Sequence, residues 1–205
     1  TESGIPTVII TKILEKFDSV GISHEIGGEL VAKHLINLGH EKIAYVSDTR
    51  MHSKFDGFFK ELKKNDVHFS KKEDFLDIGT NDNLSLKEKV EICLKNEIEK
   101  NGSFKFSAIY ASNDLIAFEC MNFLKEKGYE IPKEVAICGF DGTDFSRISN
   151  ISTVSQPTNE IVNIACDILF RKIKAKNDMK TLKEEKIEIV PRLISRNSTL
   201  QIIRR

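Results

Sequence analysis

Residues 135–142 read Val-Ala-Ile-Cys-Gly-Phe-Asp-Gly, and this stretch decides the fold class. An apolar run this short, closed by turn residues, is typical of a parallel strand that is buried on both faces. Such a strand delivers the residues at its end to the carboxyl edge of the sheet, where open α/β sheets bind ligands. Asp141 is therefore a candidate ligand contact, although an Asp-Gly pair also makes a tight turn without any ligand.

Strand and helix patterns alternate around this stretch. Apolar runs predict strands at 6–10, 17–22, 42–47, 75–78, 106–111, 135–140, 151–155, 187–190 and 193–195. Apolar residues at helical spacing predict helices at 23–38, 55–64, 84–98, 114–127 and 158–173. Between residue 42 and Asp141, four strands alternate with three helices, which predicts a parallel sheet covered on both faces with right-handed crossovers.

The composition is that of an ordinary globular protein, 40% hydrophobic and 30% charged. Lys and Arg together number 31, and so do Asp and Glu, so there is no net basic field of the kind that grips nucleic acid. The longest apolar runs are too short to cross a bilayer, and no membrane association is expected. The four cysteines lie far apart without a Cys-x-x-Cys motif, which indicates neither a zinc site nor a disulfide framework and fits a reduced, cytoplasmic setting.

Polar side chains follow several predicted strands and therefore reach the same edge of a sheet. Asn113, Asp141 and Gln156 each follow a strand, and Lys54 lies in the first turn of the helix after the strand at 42–47. A carboxylate, two amides and a cation suit a polyhydroxylated or heteroaromatic ligand. Purely structural roles remain open: Asn113 as a helix cap, Asp141 as a turn residue, Gln156 as a polar strand end, and Lys54 as a solvent-facing lysine.

No recognisable catalytic pattern accompanies these residues. No His, Ser or Cys stands in a nucleophile–base arrangement, and neither a Gly-rich phosphate loop nor a metal-ligand spacing occurs. We therefore expect no catalytic residues, no metal and no cofactor. An enzyme built on a doubly wound sheet is the disfavoured alternative.

A series of short motifs runs in order through nearly the whole chain. They lie at 27–44, Gly-Phe at 57–58, Ala-Ser-Asn-Asp at 111–114, Ile-Pro-Lys-Glu-Val-Ala-Ile-Cys-Gly-Phe-Asp at 131–141, Ser-Thr-Val-Ser-Gln-Pro at 152–157 and Pro-Arg-Leu-Ile-Ser-Arg-Asn-Ser at 191–198. Together they resemble the effector domain of the lactose-repressor/galactose-repressor (LacI/GalR) family of bacterial transcription regulators. Each motif is weak alone, and the set is specific.

The resemblance implies a periplasmic-binding-protein-like fold, in which two doubly wound parallel-sheet α/β subdomains are joined by a hinge and an effector occupies the cleft between them. Residues 1–39 and 157–190 would form a partial N-terminal subdomain, and residues 40–156 and 191–205 the C-terminal subdomain. The expected hinge crossings lie near Gly39, Pro157 and Pro191.

The front of the chain departs from the family. In the family, a helix-turn-helix domain and several strand–helix units precede the Gly-Ile-Pro segment that here occupies residues 4–6. The first subdomain therefore looks truncated, and residues outside this sequence would read DNA.

The resemblance also carries ligand contacts over to Asn113, Asp141 and Gln156. A fourth family contact is usually an arginine three residues before the Gly-Phe pair, where this chain has Lys54. Lysine keeps the charge but loses the planar fork of arginine. We expect Lys54 to favour a ligand with one anionic or strongly accepting group.

The main interpretation is the effector-binding and dimerisation core of a cytoplasmic repressor, which binds a sugar-like or nucleobase-like small molecule and controls DNA binding by an N-terminal helix-turn-helix outside this sequence. The alternative is a periplasmic sugar-binding protein of a transporter. A homodimer is expected through the first subdomain, because several of its apolar residues lack packing partners. These residues are Ile5, Val8, Ile9, Leu30 and Leu35.

Overall fold

The computed structural model describes residues 5–48, 53–180 and 182–199. In chain order the elements are β1 (Val8–Ile10), β2 (Asp18–Ile22), α1 (His24–Asn37), β3 (Ile43–Ser47), α2 (Ser53–Lys64), β4 (Phe75–Asp77), α3 (Leu86–Asn101), β5 (Ala108–Ala111), α4 (Asp114–Glu126), β6 (Ala136–Asp141), α5 (Asp144–Ile148), β7 (Ser152–Ser155), α6 (Thr158–Asn177), β8 (Lys186–Ile189) and β9 (Arg192–Ile194). The α/β fold class and the alternation of strands and helices between β3 and β6 are confirmed.

The chain divides into two compact units. The smaller unit contains the described residues up to Ser23 together with 156–191, and the larger unit contains 24–155 together with the described residues from Arg192 onward. The chain therefore passes between the units after Ser23, after Ser155 and after Pro191.

The smaller unit is a three-stranded parallel sheet with one helix packed on it. Its strand order is β1-β2-β8, and both pairings are parallel. Helix α6 packs on β1 and β2 and buries Ile161, Ala165 and Ile168 on that side. The apolar spacing of these residues predicts this face, because positions three and four apart lie on one side of a helix.

The larger unit is a six-stranded sheet with helices on both faces. Its order is β4-β3-β5-β6-β7-β9, and every pairing is parallel except β7 with β9. Along β3 the side chains alternate between two layers: the Tyr45 ring packs on Phe55 of α2, while Val46 joins the cluster that contains Val90 and Leu94 of α3. Burial on both faces explains why β3, β5 and β6 are nearly continuous apolar runs.

Helix α1 lies in the larger unit, whereas the sequence placed the first boundary near Gly39. Gly28 of α1 lies against the main chain of Lys54, and Gly57 of α2 lies against the main chain of Glu25, with no room for a Cβ atom at either glycine. The two helices therefore pack with their backbones in contact. Leu35 of α1 was expected to lack partners, but it is fully buried.

Two helical segments differ from the sequence-based expectation. Helix α5, which Thr143 caps, was not predicted. It has only five residues, and its large apolar side chains, Phe145 and Ile148, are exposed, so no buried apolar stripe marks it in the sequence. Helix α6 continues to Asn177, where lysines and alanine favour a helix. Only Ala175 is buried in this extension, and a single alanine among lysines gives no apolar stripe. Among the described residues, no helix is long and apolar enough to span a membrane.

Candidate functional site

The carboxyl edge of the six-stranded sheet brings Lys54 and Asp141 together. Lys54 lies in the first turn of α2, and Asp141 is the last residue of β6. The Lys54 Nζ lies 3.3 Å from the Asp141 Oδ1, and it donates a hydrogen bond of 3.1 Å to the carbonyl oxygen of Ser112, directly after β5. The same nitrogen lies 3.9 Å from the centroid of the Phe140 ring, within the range of a cation–π interaction.

The Lys54–Asp141 pair is only partly open to solvent. The Lys54 side chain is 15% exposed and the Asp141 side chain 30%. Burial lowers the pKa of Lys54, and the nearby Asp141 carboxylate opposes this effect by stabilising the ammonium. Lys54 therefore does not face solvent, and its positive charge is matched by a carboxylate of the same unit.

The backbone at the end of β6 has an unusual conformation. Asp141 has a φ of 109° and Gly142 a φ of 73°, both in the region that favours glycine. A Cβ atom added to Gly142 would lie 2.7 Å from the Cα of Ser155, so this glycine is required by a close approach to β7. A non-glycine residue in such a conformation costs about 1–3 kcal/mol, and residues of this kind cluster at binding sites.

Asn113 is the N-cap of α4. Its side-chain oxygen accepts a hydrogen bond of 2.9 Å from the backbone N–H of Ile116. The helix-capping role that the sequence left open is therefore present. This bond uses the amide oxygen, so the side-chain nitrogen is the group that suits donation to a ligand.

Gln156 begins the smaller unit. It is half-buried and follows β7 directly, after Ser155, which is in register with Asp141. The structure therefore brings Lys54 and Asp141 into contact. Asn113 directly follows Ser112, whose carbonyl oxygen accepts a hydrogen bond from Lys54, and Gln156 belongs to the smaller unit.

Sequence reasoning missed Asp114, the second residue of the Asn-Asp pair. It is fully buried, and its carboxylate accepts hydrogen bonds from the Thr143 N–H at 2.7 Å, the Thr143 hydroxyl at 2.9 Å and the Thr153 hydroxyl at 2.6 Å. A signal existed: Asp114 shares a helix face with Ala117 and Met121, both buried, so helical spacing places the carboxylate inward.

The chemistry of the edge is that of recognition. An acceptor and a donor that lie 3.3 Å apart match two adjacent hydroxyl groups, or the donor–acceptor edge of a heterocycle. Among the described residues, no group of three His, Cys, Asp or Glu side chains could hold a metal ion.

Comparison with known proteins identifies a matching family model and related sequences. A family model described as a periplasmic binding protein-like domain matches residues 32–199. The chain is 30% identical over 182 residues to the HTH-type transcriptional repressor PurR of Mannheimia succiniciproducens, covering 86% of this chain and 51% of that protein. It is also 30% identical over 180 residues to the sucrose operon repressor of Lactococcus lactis subsp. lactis, covering 84% and 52%. The chain thus spans about half the length of the curated relatives it matches.

A solved structure shows the same fold. A LacI family transcriptional regulator from Enterococcus faecium with bound ribose superimposes with a TM-score of 0.81 at 23% identity, covering 98% of this chain and 73% of that chain. The expected fold and the resemblance to LacI/GalR effector domains are confirmed. By sequence and by fold, this chain belongs to the periplasmic binding protein-like domain family.

Proposed function

We propose that this chain is the effector-binding core of a cytoplasmic transcriptional repressor. The observation that carries the proposal is the Lys54–Asp141 pair at the carboxyl edge of the sheet, in a chain whose relatives include two repressors. Ligand binding would shift the populations of two conformations, and that shift would control DNA binding. A periplasmic sugar-binding protein would share the fold, and the repressor relatives favour the regulator.

We assign DNA recognition to residues outside this sequence. Positive and negative side chains are balanced at 31 each, and binding to phosphates needs clustered cations. The relatives, of which this chain spans about half, are named as repressors.

The proposed ligand is a small neutral molecule with adjacent hydroxyl groups, or a nucleobase. Asp141 would accept from a ligand donor and Lys54 would donate to a ligand acceptor, while Asn113 and Gln156 would add amide groups. A neutral ligand is favoured because an anionic group beside Lys54 would be repelled by two nearby carboxylates, Asp141 in contact and the buried Asp114 through its field, against one ammonium. This proposal revises the preference for an anionic group that Lys54 suggested from sequence.

A binding screen tests both the function and the ligand class. The purified chain is heated with ribose, arabinose, sucrose, cellobiose, adenine and guanine, and with ribose 5-phosphate as the anionic counterpart of ribose. At about 100 times its dissociation constant, a true ligand should raise the stability by roughly 2.7 kcal/mol. The compound should be recovered unchanged, because the chain is proposed to bind and not to catalyse. Chemical conversion of a compound, or a screen without any stabilising compound, would contradict the proposal.

We also propose a homodimer through an apolar patch on the larger unit. The patch consists of Leu115 and Phe118 on α4 and Phe145 and Ile148 on α5, of which Phe145 is 52% and Ile148 74% exposed. Asp144 and Arg147 on α5 form an ion pair, so one negative and one positive side chain border the patch. In a dimer about a twofold axis, each of these side chains can face the opposite charge of the second copy. Exposed apolar patches of this kind mark association sites.

A further inference from the structure

We propose that Asp114 is a positioning residue that holds Asp141 against Lys54, and that it acts through Thr143 and Thr153. The inference rests on the proposed function of Asp141 and adds a second, buried carboxylate to the same site. Asp114 itself would not touch the ligand.

The two oxygens of the Asp114 carboxylate hold two different segments. One oxygen, Oδ2, accepts from both the N–H and the hydroxyl of Thr143, and Oδ1 accepts from the hydroxyl of Thr153 on β7. The Thr153 hydroxyl in turn accepts a hydrogen bond of 3.2 Å from the Gly142 N–H. Both residues that follow Asp141 therefore have their N–H groups tied to one carboxylate, either directly or through a single hydroxyl.

This network acts where the backbone needs support. Asp141 and Gly142 are consecutive residues with positive φ, and an aspartate in that conformation persists only when its surroundings hold it there. Without the bonds to Gly142 and Thr143, Asp141 would relax toward an ordinary negative φ. That rotation would carry its carboxylate away from the Lys54 ammonium.

The sequence is adapted to the buried carboxylate. A Cβ atom added to Gly139 of β6 would lie 3.2 Å from the Cβ of Ala117 and would collide with the Asp114 Oδ1. The glycine in the middle of the central strand therefore makes room for Asp114. A fully buried carboxylate is costly unless it is well hydrogen-bonded, and here three donors satisfy it.

The decisive experiment needs no ligand. The pKa of Lys54 is measured by NMR titration of the labelled lysine side chain in the parent and in Thr153→Val, which removes the bridging hydroxyl without changing any charge. Loss of the Asp141 contact should lower the Lys54 pKa below that of the parent, because the Asp141 carboxylate is the main group that raises it against burial. Asp114→Asn is less suitable for two reasons. It removes a charge that itself acts on Lys54, and it should destabilise the folded chain more than Thr153→Val does.

Two further variants separate positioning from general destabilisation. Ser152→Ala removes a fully buried hydroxyl on the same strand that bonds to the Arg196 carbonyl oxygen and not to Asp114, and it should leave the Lys54 pKa unchanged. In an Asp141→Asn background, Thr153→Val should cause no additional change, because the charge it displaces is absent.

The outcomes are distinct. An unchanged Lys54 pKa in folded Thr153→Val, or an equal decrease in Ser152→Ala, overturns the positioning role. If no compound in the binding screen stabilises the chain, the proposed function is overturned. The Lys54 titration is unaffected by that outcome, because it is carried out without a ligand.

Discussion

At the scale of single residues, Asp141 combines a charged side chain with a strained backbone at the edge of the sheet. We expect Asp141→Ala to weaken binding of the best neutral compound from the screen by about 1.5–3 kcal/mol, the usual scale for a hydrogen bond to a charged group. The fold should survive, because the side chain lies at the strand end and is partly exposed. Calorimetry and circular dichroism on the variant measure the two effects. Unchanged affinity with lower stability would show that Asp141 only shapes the turn.

Lys54 should give ligand binding a pH dependence at alkaline pH. Burial lowers the pKa of Lys54 from its ordinary value of 10.5, whereas hydrogen bonds to Glu25 and Glu29 raise the pKa of the exposed Lys60. Only the ammonium form donates all three N–H groups, so affinity should be full below the Lys54 pKa and should fall as the pH rises through it, in a window below 10.5.

Calorimetry at increasing pH measures this effect. Lys54→Arg should remove the pH-dependent step, because a guanidinium stays protonated, and the Lys60→Ala variant should keep the parental profile. A parent whose affinity does not change up to pH 10.5 would place Lys54 outside the binding equilibrium.

How far the site could be predicted depends on which contacts are local. The position of Lys54 and Asp141 at one sheet edge follows from strand ends and from parallel pairing, which the sequence shows. Asp114 was missed because a carboxylate in the first turn of a helix normally serves the helix itself. Its partners Thr143 and Thr153 lie on other elements, at the N-cap of α5 and on β7, and spacing along the chain does not show that these segments meet Asp114.

At the scale of elements, strands β3, β5 and β6 were predictable because burial on both faces leaves a nearly unbroken apolar run. The place of α1 was not predictable in the same way. Its apolar stripe indicates that one face is buried, but not which sheet or helix buries it. The glycines of α1 and α2 decide this, because they allow the two backbones to touch.

Gly28→Ala tests that helix contact. An added Cβ would overlap the main-chain oxygen of Lys54, so α1 and α2 would have to separate, and overpacking of this kind costs about 1–3 kcal/mol. Urea unfolding of the variant measures the loss, and Asn37→Ala at an exposed position of α1 is the matched control. A Gly28→Ala protein as stable as Asn37→Ala would contradict close backbone packing. Because Gly28 lies against Lys54, the same variant should also weaken ligand binding.

At the scale of the whole molecule, exposed apolar side chains lie on both units and make two dimer surfaces conceivable. The larger unit carries the patch of Leu115, Phe118, Phe145 and Ile148. The smaller unit carries several exposed apolar side chains, among them Ile5, Phe170 on α6 and Val190, which are 62%, 68% and 60% exposed. The sequence favoured the smaller unit on five apolar residues, of which Ile5 is exposed as expected and Leu35 is buried. The structure favours the larger unit because its patch is contiguous, with the rings of Phe118 and Phe145 in contact, and is flanked by both charges.

Sedimentation of three proteins at micromolar concentration decides between these surfaces. The parent should be a dimer, and the double variant Phe145→Asp, Ile148→Asp should be a monomer, since two carboxylates placed in an apolar interface lose their hydration without gaining partners. Both side chains are largely exposed, so the substitutions should leave the folded chain intact, which circular dichroism verifies. Phe170→Asp introduces one carboxylate at an exposed aromatic residue of the smaller unit and should remain a dimer. Dissociation by Phe170→Asp alone would move the interface to α6, and a monomeric parent would contradict self-association through either surface.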